Sequence, residues 1–267
     1  MKLAVSNIAW QTHDDPKIFN MLKGNGVNGI EVAPTKIWGR WELATPKKAA
    51  TYRQQIAVQG FEIPAMQALL FDKPELQLFD SSIAGPFLSH ISLLANLAEA
   101  MGAKVLVLGS PKNRKRGQLS MEASLEIASE ILFKAAEICS KHNCCIGLEP
   151  NPVEYGCDFI NNVADARALI DMVNHNGLQL HLDAAGIHMC GGDISDIIRQ
   201  AGSFVHYHIS EPMLEPIENG MVDHFSALQT LKEAQYDGWV SIEMKQPEDV
   251  MKLERSVRTC TKILRCI

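Results

Sequence analysis

Four residues in the second half of the chain have types and spacing suited to chemistry: Glu149, Asp183, His208 and Glu243. Each sits at or near the end of a short apolar run: Leu148-Glu149-Pro150, Leu182-Asp183, His206-Tyr207-His208 and Ile242-Glu243-Met244. One Glu or Asp in such a place is more often a helix cap or an ion-pair member than a ligand. Four in succession need a common cause. If the runs are strands, successive side chains point to opposite faces. Counting back from the four residues, Leu148, Ile146, Leu182, Leu180, Tyr207, Val205, Ile242 and Val240 fall on the other face, an almost wholly apolar set. His181, His206 and Ser241 share the face of the four, so that face is a polar lining.

Three carboxylates and an imidazole held together repel one another unless a cation sits between them. An oxygen-rich set with one nitrogen suits one divalent metal ion, Mn²⁺ or Mg²⁺, with Co²⁺ and Zn²⁺ as alternatives. No thiol is placed as a ligand, which argues against a structural zinc site. His181 and His206, one step below the ligands on the same face, are either hydrogen-bonded interior histidines or partners that fix the ligands.

Eight β-rich runs can position these residues: Lys2–Ser6, Asn28–Ala33, Ile63–Leu69, Lys104–Leu108, Cys144–Glu149, Leu178–Asp183, Phe204–Ile209 and Trp239–Met244. Between them lie helical patterns, the clearest over Met121–His142, where Leu125, Ala128, Ile131, Leu132, Ala135 and Ile138 recur at helical spacing behind Ser120 as N-cap. Further helices are expected over Ile18–Lys23, Ala49–Gln59, Ala84–Met101, Val163–Asn174, Ile194–Ala201, Ala227–Gln235 and Met251–Leu264. Gly60, Gly102, Gly177 and Gly202 follow helices, where a left-handed residue often ends the turn. Alternating strands and helices imply a parallel sheet. Eight pairs in 267 residues predict an α/β fold of the (β/α)8 TIM-barrel type, a single domain over residues 1–267. No GxGxxG or GxxxxGK[ST] follows a strand, which disfavours an open nucleotide-binding sheet. In a barrel the C-terminal strand ends form one mouth, where the four residues converge.

Composition narrows the setting. The net charge of −6 gives no reason to expect nucleic acid, and Lys112, Arg114, Lys115 and Arg116 form the only dense basic patch. Seven cysteines without a CxxC pair suggest a reducing compartment. The opening MKLAVSNIAW is too short and too soon polar for a signal peptide, and no apolar run reaches the ~18 residues of a membrane span. A cytoplasmic protein with no membrane partner is expected. An apolar face on the seventh or eighth helix is a candidate surface for a homo-oligomer.

The order and spacing of the four residues, 34, 25 and 35 positions apart, resemble the xylose isomerase-like barrel superfamily, in its sugar (phosphate) isomerase/epimerase branch. The segments GIEVAPTKIW, MQALLF, VLGSPKNR, HYHISEP and SIEMK resemble that branch too, so the likeness covers essentially the whole chain. It implies that Glu149 and Glu243 are both metal ligands and acid/base groups that flank the carbon being deprotonated, with an enediolate between substrate and product. The implied partner is a small sugar-like molecule. The chain departs from the epimerase pattern in three places. Gly186 stands where a histidine is usual, with His188 two positions on; Leu214 lies near an expected arginine; and Glu154 is the nearest match to an offset glutamate.

Glu31, Gln67, Lys112 and Arg114 sit at or just past strands two to four, Lys245 follows strand eight, and His188 follows strand six. All are candidate substrate contacts, the basic ones for a phosphate, carboxylate or oxyanion. Trp10 and Trp38 are candidates to stack on a sugar face or to pack the core. The reading that fits best is a metal-dependent sugar isomerase or epimerase. A dehydratase of a keto-inositol-type substrate is the alternative, sharing the enolisation step. An apurinic endonuclease would need extra histidines on strands three and four, where Gln67 and Gly109-Ser110 stand. A non-catalytic sugar-binding barrel would not need four ligands.

Overall fold

A computed structural model describes all residues, Met1–Ile267. The strands are β1 (Lys2–Ser6), β2 (Gly29–Glu31), β3 (Ala65–Met66), β4 (Val105–Leu108), β5 (Cys145–Leu148), β6 (Leu178–Asp183), β7 (His206–Ser210) and β8 (Trp239–Glu243). The helices are α1 (Asp15–Gly24), α2 (Pro34–Trp38), α3 (Pro46–Val58), α4 (Ala84–Met101), α5 (Met121–Lys141), α6 (Val163–Val173), α7 (Ala184–Met189), α8 (Ile194–Gln200), α9 (His224–Glu233) and α10 (Val250–Cys266). All ladders are parallel, in the order β2-β1-β8-β7-β6-β5-β4-β3. Between β2 and β3 there is no ladder, only the bridges Gly29–Glu62 and Val32–Met66. Backbone bonds Ile30 N–Glu62 O (2.9 Å), Val32 N–Ala65 O (3.0 Å) and Gln67 N–Val32 O (2.9 Å) close that seam, giving the expected (β/α)8 barrel. No helix is long and apolar enough to cross a membrane.

The helices bury the outward strand faces. Ile146, Leu148, Leu180, Leu182, Tyr207, Val240 and Ile242 are all fully buried in one apolar layer with Ala128, Leu132 and Ala135 of α5. Ser120 caps α5 by accepting from Ala123 N at 3.1 Å. The barrel interior is built in two parts. Its base is a small apolar plug of Ala65, Val105 and Val107 with Cys145 and Val205 against it. Above the plug the lining turns polar.

The structure corrects several local expectations. Strand seven starts two residues later and ends one residue later than predicted, so Ser210 belongs to it and Val205 precedes it. Val205 therefore turns into the plug, near Gly147, instead of lying under the helices. Strand three is cut to two residues, because Pro64 has no N–H to give and the chain turns left-handed at Ala68 (φ 54°). Gly60, Gly102 and Gly202 are left-handed after their helices, but Gly177 is not; Asn174 (φ 47°) ends α6. Gly177 is required for space: a Cβ there would lie 2.2 Å from the Ala136 carbonyl oxygen of α5. Two short helices, α2 and α7, were not foreseen. Four of the nine non-glycine residues in the left-handed region, Ala68, Ser110, Met213 and Leu214, lie just past strand ends, so part of the strained backbone is at the barrel mouth.

Candidate metal centre

Register sets the site. Asp183 on β6 pairs with His208 on β7, and Ser210 pairs with Glu243 on β8. Glu149 follows β5, its N–H bonded to Leu108 O at 3.1 Å. One potential ligand atom from each of Glu149, Asp183, His208 and Glu243 lies within 4.8 Å of the others. His208 is fully buried, while Asp183 (6% exposed) and Glu243 (14%) keep an edge toward solvent, as does Glu149. The four thus form a cup that is closed below and open above.

The surrounding groups hold the cup in place. Asp183 Oδ1 accepts from Gly186 N at 2.6 Å, capping α7, and Oδ2 accepts from the Ser210 hydroxyl. Ser210 in turn accepts from Ala185 N at 3.0 Å. His208 Nε2 donates to Glu31 Oε1 (3.0 Å) and His206 Nε2 to Glu31 Oε2 (3.1 Å), so one buried carboxylate orients two imidazoles. His208 Nδ1 is left without a hydrogen bond, although Glu243 Oε2 is 3.2 Å away, and it faces the carboxylates. Beyond Glu149, Gly109 leaves a cradle: a Cβ there would lie 2.3 Å from Glu149 Oε2.

Electrostatics shows the cost of this arrangement. Burial pushes the Glu149 carboxyl well above the usual range, and Asp183 and Glu243 push it further. Asp183 is raised by burial and then by Glu243. His208 is raised despite burial, because Glu31 and Glu243 favour its charged form. Burial opposes ionisation of Glu31 as well, but His208 and His206 outweigh it and hold that carboxyl well below the ordinary value. Clustered carboxylates around an unpartnered nitrogen are what a divalent cation would stabilise, so the residues present fit such an ion.

The other predicted contacts divide. Gln67 is buried and bonded to Ser6 Oγ. Lys112 is exposed on the turn after β4. Five expectations need correction. Glu31 is 0% exposed and bonded to His206 and His208, so it does not face the mouth. Arg114 is also buried: it donates to Gly109 O (2.6 Å), Glu149 O (2.8 Å) and Asn151 Oδ1 (2.8 Å), clamping the loops that carry Glu149. Trp10 packs edge-on against Phe19 and donates to Asp15 at 2.7 Å, so its face is not free for a sugar. Lys245 is exposed and paired with Glu215. His188 is exposed on α7 and does not line the adjoining cavity. That cavity, ≈ 620 Å³, reaches Asp183, Gly186 and Pro150 from the α6 side, with Asn161, Asn162 and Gln200 along its wall. Sequence reasoning missed Tyr155, whose hydroxyl accepts from Met213 N at 3.1 Å. Burial lifts its pKa to about 12, and Asp183, Glu243 and Glu149 add to the lift. It missed Ser210 too, which shares the face of His208 but lay one residue beyond the predicted end of strand seven.

The family model described as xylose isomerase-like TIM barrel matches residues 19–260. The chain belongs to that family. Among solved structures, this xylose isomerase-like barrel is similar to D-psicose 3-epimerase with D-tagatose from Clostridium cellulolyticum H10 (15% identity, TM-score 0.82, 100% of this chain and 99% of the other). It is similar to 3-keto-D-glucoside 4-epimerase from E. coli (17%, 0.80, 98% and 99%). It also resembles the IolI protein with a bound zinc atom (21%, 0.73, 99% and 96%). At these identities the likeness is one of fold. No curated protein matches by sequence.

Proposed function

We propose that this xylose isomerase-like barrel is a divalent-metal-dependent isomerase or epimerase of a sugar, sugar phosphate or related hydroxy-ketone. The observation that carries the proposal is the cup of Glu149, Asp183, His208 and Glu243 at the barrel mouth. Those four residues would hold the ion, which supplies Lewis-acid stabilisation of negative charge on nearby substrate oxygens. Glu149 and Glu243 would take up the carbon-bound proton and return it, as carboxylates within hydrogen-bond reach of a substrate carbon can. Return to the same carbon from the opposite side gives epimerisation; return to the neighbouring carbon gives aldose–ketose isomerisation. The epimerase folds among its neighbours favour this reaction class.

A dehydratase is the second reading, favoured by Gly186. In the epimerase pattern that position carries a histidine, and a glycine supplies no side chain to contact the substrate there. The deciding experiment is metal-supplemented screening of ketoses, their phosphates and inososes in D₂O. Deuterium entering recovered substrate, its epimer or its isomer supports the proposal, and loss of water to an enone, or to its diketone tautomer with deuterium at the carbon that lost the hydroxyl, supports the second reading. Preparations that bind no divalent ion and exchange no substrate proton refute both.

A further inference from the structure

One polar group at the mouth stands outside the four-residue cup. Tyr155 follows Glu149 by six residues, in the short 3₁₀ turn Val153–Tyr155, which Gly156 ends in the left-handed region (φ 78°). The loop that carries it is pinned at its base. Asn151 N donates to Ile160 O (3.2 Å), the Asn161 side-chain amide to Asn151 O (2.9 Å) and Cys157 O (3.1 Å), and Arg114 to Asn151 Oδ1 (2.8 Å). A loop fixed in this way can present a side chain in one place. The Tyr155 hydroxyl accepts from Met213 N at 3.1 Å, in the turn after β7. Because β5, β6 and β7 are successive in the sheet, that bond carries the ring across the end of β6, where Asp183 stands. The same turn is fastened on its far side, with Lys245 N donating to Leu214 O (2.8 Å) two residues beyond Glu243.

The bond from Met213 uses a lone pair of the phenol and leaves its hydrogen without an acceptor in the protein. Burial raises the pKa of this half-buried group to about 12, and Asp183, Glu243 and Glu149 add to the rise against the pull of the Met213 N–H. The hydrogen therefore stays on the oxygen at neutral pH. Gly186 supplies no side chain beneath the loop, where a Cβ would lie 3.5 Å from Pro150 O and 3.7 Å from the Pro152 ring. On the metal-dependent reading above, we infer that Tyr155 binds the substrate: its phenolic hydrogen is donated to one oxygen of the sugar-like molecule held at the cup, and so selects molecules with an acceptor there. Water can replace a lost acceptor at a half-buried donor, so the expected penalty for losing the bond is modest, about tenfold.

The test uses the full metal-loaded chain and whichever ketose, ketose phosphate or inosose exchanges deuterium. Tyr155→Phe should keep the melting temperature and the metal affinity but lower kcat/KM about tenfold. Monodeoxy analogues of that substrate then separate contact from support. With the wild type, one analogue should lose about tenfold, and both proteins should handle that analogue equally, as a cycle through a single shared bond requires. An unchanged kcat/KM in Tyr155→Phe would overturn the inference. So would equal losses on the parent and on every analogue, which would mark Tyr155 as a support of the Met213 turn. In protein carrying ¹³Cζ-tyrosine, the Tyr155 signal, one of four, should move with the parent substrate and stay with that analogue. A signal unmoved by the parent also overturns the contact, and this measurement holds even where the variant does not fold. Wild-type protein that exchanges no substrate proton would fail at an earlier step, bringing down the proposed activity together with the contact.

Discussion

Glu149 and Glu243 were legible as ligand candidates because each stands at a strand end with apolar neighbours on the opposite face. Their conversion to Gln keeps shape and removes the proton acceptor. Each of Glu149→Gln and Glu243→Gln should therefore reduce turnover at least ~10²-fold while the circular dichroism spectrum is retained. Glu31 was misread for a physical reason: parity fixes which face a side chain lines, but not its depth in the barrel. It accepts from His206 and His208, and a partner of that kind orients a ligand. Glu31→Gln should cost about 10–100-fold in metal affinity, measured by calorimetry. An unchanged affinity would show that Glu31 serves packing alone. Arg114 and Trp10 failed in the same way, since a charge or an indole after a strand can fold inward onto backbone carbonyls or an aspartate.

Hydrophobic periodicity located every strand and all the longer helices, while turns decided the ends. Strand seven kept its predicted faces but not its bounds, because Phe204 and Val205 are as apolar as strand residues, and only the ladder with β8, which pairs Ser210 with Glu243, shows where the strand ends. The short helix α7 depends on Asp183 acting as cap, which composition alone does not disclose. Packing between α5 and the turn before β6 gives a test at this level. A Cβ at Gly177 would meet the backbone of Ala136 and the Ser140 hydroxyl, neither of which can yield cheaply. Gly177→Ala should destabilise the fold by about 2 kcal/mol in urea titration, as overpacking does. Gly109→Ala should act differently, because its obstacle is the movable end of Glu149. The fold should persist, and metal affinity should fall.

Across the whole molecule the cup makes stability depend on pH and on metal together. Glu149 and His208 both have folded-state pKa values above their ordinary ones, so the metal-free fold holds extra protons that it loses as pH rises. His181, lowered by burial and then by its histidine neighbours, works oppositely, but only below its ordinary value of 6.5. Glu31 adds no slope there, its ordinary value being 4.5. From about pH 6.5 upward the melting temperature of the metal-free protein should therefore fall, and a divalent ion should remove much of that slope. A flat metal-free profile in scanning calorimetry would contradict this. The seam between β2 and β3 gives the arrangement a mechanical side. Every proposed ligand belongs to the second half of the barrel, yet Glu31, from the edge of the seam, is tied to β7 across 175 and 177 residues of sequence. It works as a tie rod through the hollow of the barrel, so filling the cup should tension the weakest joint in the wall. Amide hydrogens at Ile30, Val32 and Gln67, which carry the seam's own bonds, would then report loading from the opposite side by slower exchange.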